Sequence, residues 1–95
     1  MSNDGIISII GNTNTTVVDG NNSLIVAGNG NDNLTAGSSS IVAAGNGNDT
    51  ITAGANSAIA AGNGNDKLTA GSGSIVIAGN GNDTVTVGAN SAIVV

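Results

Sequence analysis

The pentapeptide Gly-Asn-Gly-Asn-Asp begins at Gly28 and returns at Gly45, Gly62 and Gly79, with a worn copy, Gly-Asn-Thr-Asn-Thr, at Gly11. The interval between copies never varies: each step along the chain is 17. A short fixed period of this kind means one small supersecondary unit stacked on copies of itself. Every group in one unit then has an equivalent in the next. Function is expected from rows of equivalent groups along a rod, and an enzyme is disfavoured. The residue types agree: there is no His, Cys or Glu, and neither the serines nor Lys67 has a partner base.

Ninety-five residues allow one domain, spanning 1–95. Sixteen glycines and many Asn, Ser and Thr raise the prospect of low-complexity disorder, but 39% apolar content in regular clusters favours order under the right conditions. The net charge is −5, all of it from Asp, and Lys67 is the lone basic side chain. With no basic patch and no aromatic to stack on a base, a nucleic-acid partner is excluded, whereas a cation is a natural one. No apolar run reaches membrane-spanning length, so no membrane insertion is expected. Met-Ser-Asn-Asp-Gly at the start lacks the basic region of an N-terminal signal peptide. The absence of Cys leaves the redox compartment open.

Each unit divides into a nine-residue and an eight-residue half. The longer half runs 27–35, 44–52, 61–69 and 78–86; the shorter runs 36–43, 53–60, 70–77 and 87–94. Residues 10–18 and 19–26 fit the same scheme, and 2–9 form a degenerate first half. Every half is a Gly-containing turn followed by a short β-rich strand, with no competing helical spacing. The predicted fold is all-β: a parallel β-solenoid (β-roll) of about 5.6 coils, one repeat to a coil, with two parallel sheets and no caps. At ~4.8 Å per coil it is roughly 27 Å long. One core column is Val17, Leu34, Ile51, Leu68 and Val85; the other is Ile25, Val42, Ile59, Val76 and Ile93.

The nine-residue half resembles the haemolysin-type (repeats-in-toxin, RTX) calcium-binding nonapeptide, Gly-Gly-x-Gly-x-Asp-x-apolar-x. Ala27 stands at the first glycine, and Gly28, Gly30, Asp32 and Leu34 match the rest. The matches recur at Gly45, Gly47, Asp49 and Ile51, at Gly62, Gly64, Asp66 and Leu68, and at Gly79, Gly81, Asp83 and Val85. The resemblance implies a parallel β-roll with Ca²⁺ between stacked turns, held by aspartates and turn carbonyls. Physical chemistry points the same way. Carboxylates stacked ~5 Å apart repel by roughly 0.8 kcal/mol even in water, and a hard cation reverses the sign. One turn of each coil lacks the Asp, so calcium is expected along one edge, in about three sites between four loops. Thr15 replaces the first Asp. The competing reading is an Asp/Asn ladder bonded to turn amides without metal.

Two surface rows remain. Beside the Leu34 column lie Asn33/Thr35, Thr50/Thr52, Lys67/Thr69 and Thr84/Thr86, a polar row similar to those of ice-binding solenoids. Beside the Ile25 column lie Leu24/Val26, Ile41/Ala43, Ala58/Ala60, Ile75/Ile77 and Ala92/Val94, which leave that sheet apolar on both faces. Such a patch marks a protein contact. The bare strand Ser91 to Val95 and the uncapped ends favour pairing with another copy. The expected function is a self-assembling, filament-forming structural protein organised by Ca²⁺. Its expected location is extracellular or at a cell surface, following the resemblance, whose members leave bacteria without an N-terminal signal. An ice-binding solenoid and a calcium-binding module of an adhesin are the alternatives.

Overall fold

Three-residue strands between Gly-containing turns leave little choice but to pair with the next copy of themselves. The computed structural model describes residues 5, 7–9, 11, 12 and 14–94, without the side chain of Ile9. Residues 2–4, 6, 10, 13 and 95, which the expected half-coils and final strand include, lie outside the described residues. In chain order the strands are β1 (Ile7–Ile9), β2 (Thr16–Val18), β3 (Leu24–Val26), β4 (Asn33–Thr35), β5 (Ile41–Ala43) and β6 (Thr50–Thr52). There follow β7 (Ala58–Ala60), β8 (Lys67–Thr69), β9 (Ile75–Ile77), β10 (Thr84–Thr86) and β11 (Ala92–Val94). Odd-numbered strands form one six-stranded sheet and even-numbered strands a five-stranded one.

All pairing is parallel, with each residue set beside its equivalent in the next repeat: Leu34 lies beside Ile51, and Val42 beside Ile59. The hydrogen bonds continue round the turns. Gly47 N–H donates to the Asn63 carbonyl at 2.9 Å, and Asn56 N–H to the Ser72 carbonyl at 2.9 Å. The molecule is therefore a flattened parallel β-solenoid with one repeat per coil, 12 Å thick in its Cα trace. No helix among the described residues is long and apolar enough to cross a membrane.

The interior is one side chain deep from each sheet. Ile25, Leu34, Val42, Ile51, Leu68 and Val76 are fully buried, and Ile59 nearly so. Toward the ends the columns weaken: Val17 and Val85 are half-buried. Ile93, expected in the core, is 45% exposed because no further coil covers β11. Alanine completes the core at the strand exits. Ala27, Ala36, Ala53, Ala70 and Ala78 are buried at the corners where the chain leaves each strand. At the opposite corners, one residue before each strand, polar side chains point inward. Asp32, Asp49 and Asp66 line one edge; Ser23, Ser40, Ser57 and Ser74 line the other.

Candidate metal edge

Each letter of the repeated pentapeptide has its own task in the stack. A Cβ on Gly45 would lie 2.6 Å from the Gly28 carbonyl oxygen, so the first glycine is what lets successive turns approach. Gly47 has φ of 123°, where only glycine is at ease, and a Cβ there would collide with the Gly30 carbonyl. The last Asn forms an outer ladder. Asn31 Oδ1 accepts the Asn48 N–H at 2.8 Å, and Asn48 Oδ1 accepts the Asn65 N–H at 2.8 Å.

The Asp forms an inner ladder of opposite polarity. Asp49 Oδ1 accepts the Asp32 N–H from the preceding coil at 2.9 Å, and Asp66 Oδ1 accepts the Asp49 N–H at 2.9 Å. The same contact joins Asp83 to the Asp66 N–H and Asp32 to the Thr15 N–H, both at 2.9 Å. Thr15 therefore joins the ladder through its backbone without adding a carboxylate.

In Asp32, Asp49 and Asp66 one oxygen is thus satisfied and the other is not. Oδ2 of Asp32, Asp49 and Asp66 is buried with no hydrogen-bond partner. An unpartnered buried polar atom is costly, and more so when it carries charge. Burial pushes the Asp49 carboxyl above its ordinary range; the Asp32 N–H works against that, and the charges of Asp66 and Asp32 add to it. The Asp66 carboxyl is raised for the same leading reason, opposed by the Asp49 N–H and reinforced by Asp83. Lys67, next in sequence, lies exposed on the strand and turns its charge to solvent.

A hard cation meets this need. It would give each orphaned oxygen a partner and cancel the repulsion along the column. Among the described residues no three acidic, His or Cys side chains gather on one point. A cation at this edge would therefore take part of its shell from backbone carbonyls of the turns, which Gly28, Gly30 and their equivalents crowd together. The residues present fit such an ion.

The other edge solves the same packing problem without charge, and sequence reasoning overlooked it. Ser40 Oγ accepts the Ser23 N–H at 3.1 Å, and Ser57 Oγ accepts the Ser40 N–H at 3.2 Å. Because a hydroxyl also donates, Ser57 Oγ reaches the Gly37 carbonyl at 3.3 Å. A Ser in every second turn, at 23, 40, 57, 74 and 91, was the available signal. No Ser oxygen stands among the buried unpartnered atoms of the described residues.

The molecule belongs, by fold and site, to the parallel β-solenoids whose turns carry a stacked acidic column. Residues 18–40, 39–57, 56–74 and 75–91 match the RTX calcium-binding nonapeptide repeat in four copies. The chain belongs to that family and is a calcium-binding repeat module. No curated protein and no solved structure matches it.

Proposed function

We propose that this protein is a non-catalytic structural module which calcium orders and which then associates with further copies of itself into filaments. The observation that carries the calcium part is the column of three buried Oδ2 atoms without partners. Asp32, Asp49, Asp66 and Asp83 are the side-chain ligands in this reading, with turn carbonyls near Gly28, Gly30, Gly45, Gly47, Gly62, Gly64, Gly79 and Gly81 beside them. The bound ion supplies charge neutralisation and a partner for each orphaned oxygen. The equivalence of the coils supports a structural role over a catalytic one.

Self-association rests on the six-stranded sheet. Its strands β5, β7, β9 and β11 consist wholly of apolar residues, and one side of each strand is already used in the core or turned toward it. On the outer side Ile41, Ile75, Ile77 and Val94 are between 45% and 58% exposed. A contiguous apolar face of this kind marks a contact with protein. An extracellular setting is the one that fits a calcium-organised module, because millimolar calcium is an extracellular supply.

The test is electron microscopy and light scattering with calcium and with chelator. Fibres or oligomers in calcium, lost in chelator, are expected; a monodisperse 8.9 kDa monomer at high concentration in calcium overturns the filament reading. Ice binding is the second reading, favoured by the exposed outer row of Thr50, Thr52, Thr84 and Thr86 on the five-stranded sheet. Lys67 and the 65%-exposed Val18 interrupt that row. An ice-recrystallisation assay decides it.

A further inference from the structure

We infer that the apolar face takes a second copy of this chain in one register: rods antiparallel, related by a two-fold axis along the strands and lying between β7 and β9. The inference rests on the self-association reading above; a two-fold contact closes at a dimer, so growth into filaments would need a second contact elsewhere on the rod.

Side-chain size along the face sets the register. The first residues of β5, β7, β9 and β11 are Ile41, Ala58, Ile75 and Ala92; they form one outward column, held at one coil per step by the parallel register. The third residues, Ala43, Ala60, Ile77 and Val94, form the other column. Across the face β7 is thus a groove of two alanines and β9 a ridge of two isoleucines.

A two-fold axis along the strands keeps each column opposite itself and reverses the order of coils. Placed between β7 and β9, it sets β9 of one copy over β7 of the other and β5 over β11. Ile75 then meets the partner's Ala58, and Ile77 meets the partner's Ala60. At the flanks Ile41 meets the partner's Ala92, and Val94 meets the partner's Ala43. Every contact pairs a large side chain with a small one, in both columns. A surface that is complementary to itself under a two-fold axis suits a second copy of the chain. Interdigitation of this kind is how sheet faces pack.

The other simple symmetry fails. A two-fold axis along the rod swaps the columns and keeps each coil level with itself. Ile75 would then oppose Ile77 and Ala58 would oppose Ala60, giving a clash beside a void. The four strands contain no charged residue, so no ion is buried in the contact. Four strands of three residues cover about 19 Å by 10 Å, roughly 200 Å² a side and well below a standard interface, so this contact alone gives a weak dimer that forms only at high concentration.

The experiment swaps size across the two-fold axis without changing composition. In calcium, sedimentation equilibrium is run on the wild type, Ala60→Ile, and Ala60→Ile with Ile77→Ala. The single variant places a second isoleucine against the partner's Ile77 at two symmetric points, and association should weaken at least tenfold. The double variant restores a large–small pair and should return to within about threefold of wild type. Ala58→Ile, alone and with Ile75→Ala, repeats the test in the other column, and circular dichroism checks that each variant is folded. If Ala60→Ile and Ala58→Ile associate as tightly as wild type or more so, the register is wrong while self-association stands. If the wild type itself stays monomeric at all concentrations, the self-association reading falls and the register with it.

Discussion

A single carboxylate in this edge is asked to do two things at once, and its two oxygens divide the work. Oδ1 of Asp49 accepts the Asp32 N–H of the neighbouring coil, and Oδ2 is buried without a hydrogen-bond partner. Replacing Asp49 and Asp66 together by Asn keeps an oxygen for the ladder and removes two charges. Calcium affinity should fall at least tenfold by titration calorimetry, while β structure in chelator should exceed that of wild type. The same chemistry sets a pH dependence. Asp49 and Asp66 have folded-state values raised above the ordinary 3.8, so the metal-free solenoid holds these protons more tightly than the unfolded chain does. That stabilisation is fully present below about pH 3.8 and is lost as pH rises through the raised folded values. Metal-stripped protein should therefore gain β signal by circular dichroism on acidification from neutrality, the reverse of ordinary acid denaturation. Ser39 tests the backbone at this scale. It sits at φ of 59°, where Asn occupies the equivalent positions 22, 56 and 90 and Gly occupies 73. Ser39→Gly should stabilise the folded state by about 1 kcal/mol in urea melts, because the left-handed region costs a residue with a Cβ roughly that much.

At the scale of the element, the coil is specified by where it can be thin. Through the central coils the strand centres carry one large residue, the exits carry Ala and the entries carry Asp or Ser, so the core is one side chain deep from each sheet. Such a core has no slack. Ile51→Ala should cost about 2–5 kcal/mol in a thermal or urea melt with calcium present, since neighbouring strands are held in register and cannot collapse into the hole. Gly64→Ala should fail for a different reason. Its φ is 131°, and the added Cβ would strike the Gly47 carbonyl, which belongs to backbone that cannot swing away. The expected outcome is loss of order in the turns on both sides, seen as lower calcium affinity with the sheets still formed.

The whole molecule gathers its order from neighbours one repeat apart and has no aromatic cluster to hold it otherwise. Conformational entropy of roughly 1–2 kcal/mol per residue must be offset by this thin core and by the ladders. Calcium removal should therefore leave a largely disordered chain, which regains β structure cooperatively when the ion returns. Full β structure in chelator would instead favour a ladder of Asp and Asn that needs no metal. Association is expected to follow order. Ile41→Lys with Ile75→Lys, both on the exposed apolar face, should abolish lateral association in calcium without loss of folding, because an unpaired ion in the contact costs several kcal/mol.

The period of 17, the parallel sheets and the Asp32–Asp83 column were all legible from residue order, because a repeat that stacks on itself turns sequence spacing directly into spatial neighbourhood. So were the central columns of the core, from Leu34 and Val42 onward. What needed the tertiary structure were properties of a residue's surroundings and not of its spacing. Ile93 follows the pattern of its column yet lies open, since burial depends on whether a further coil covers it. Ser40 and its equivalents look like any turn serine, and only the closed coil shows them buried and bonded in a line. The division of Asp32, Asp49 and Asp66 into a bonded and an orphaned oxygen is of the same kind: residue order placed the carboxylates in a column, and packing decided which oxygen found an N–H and which was sealed away from water.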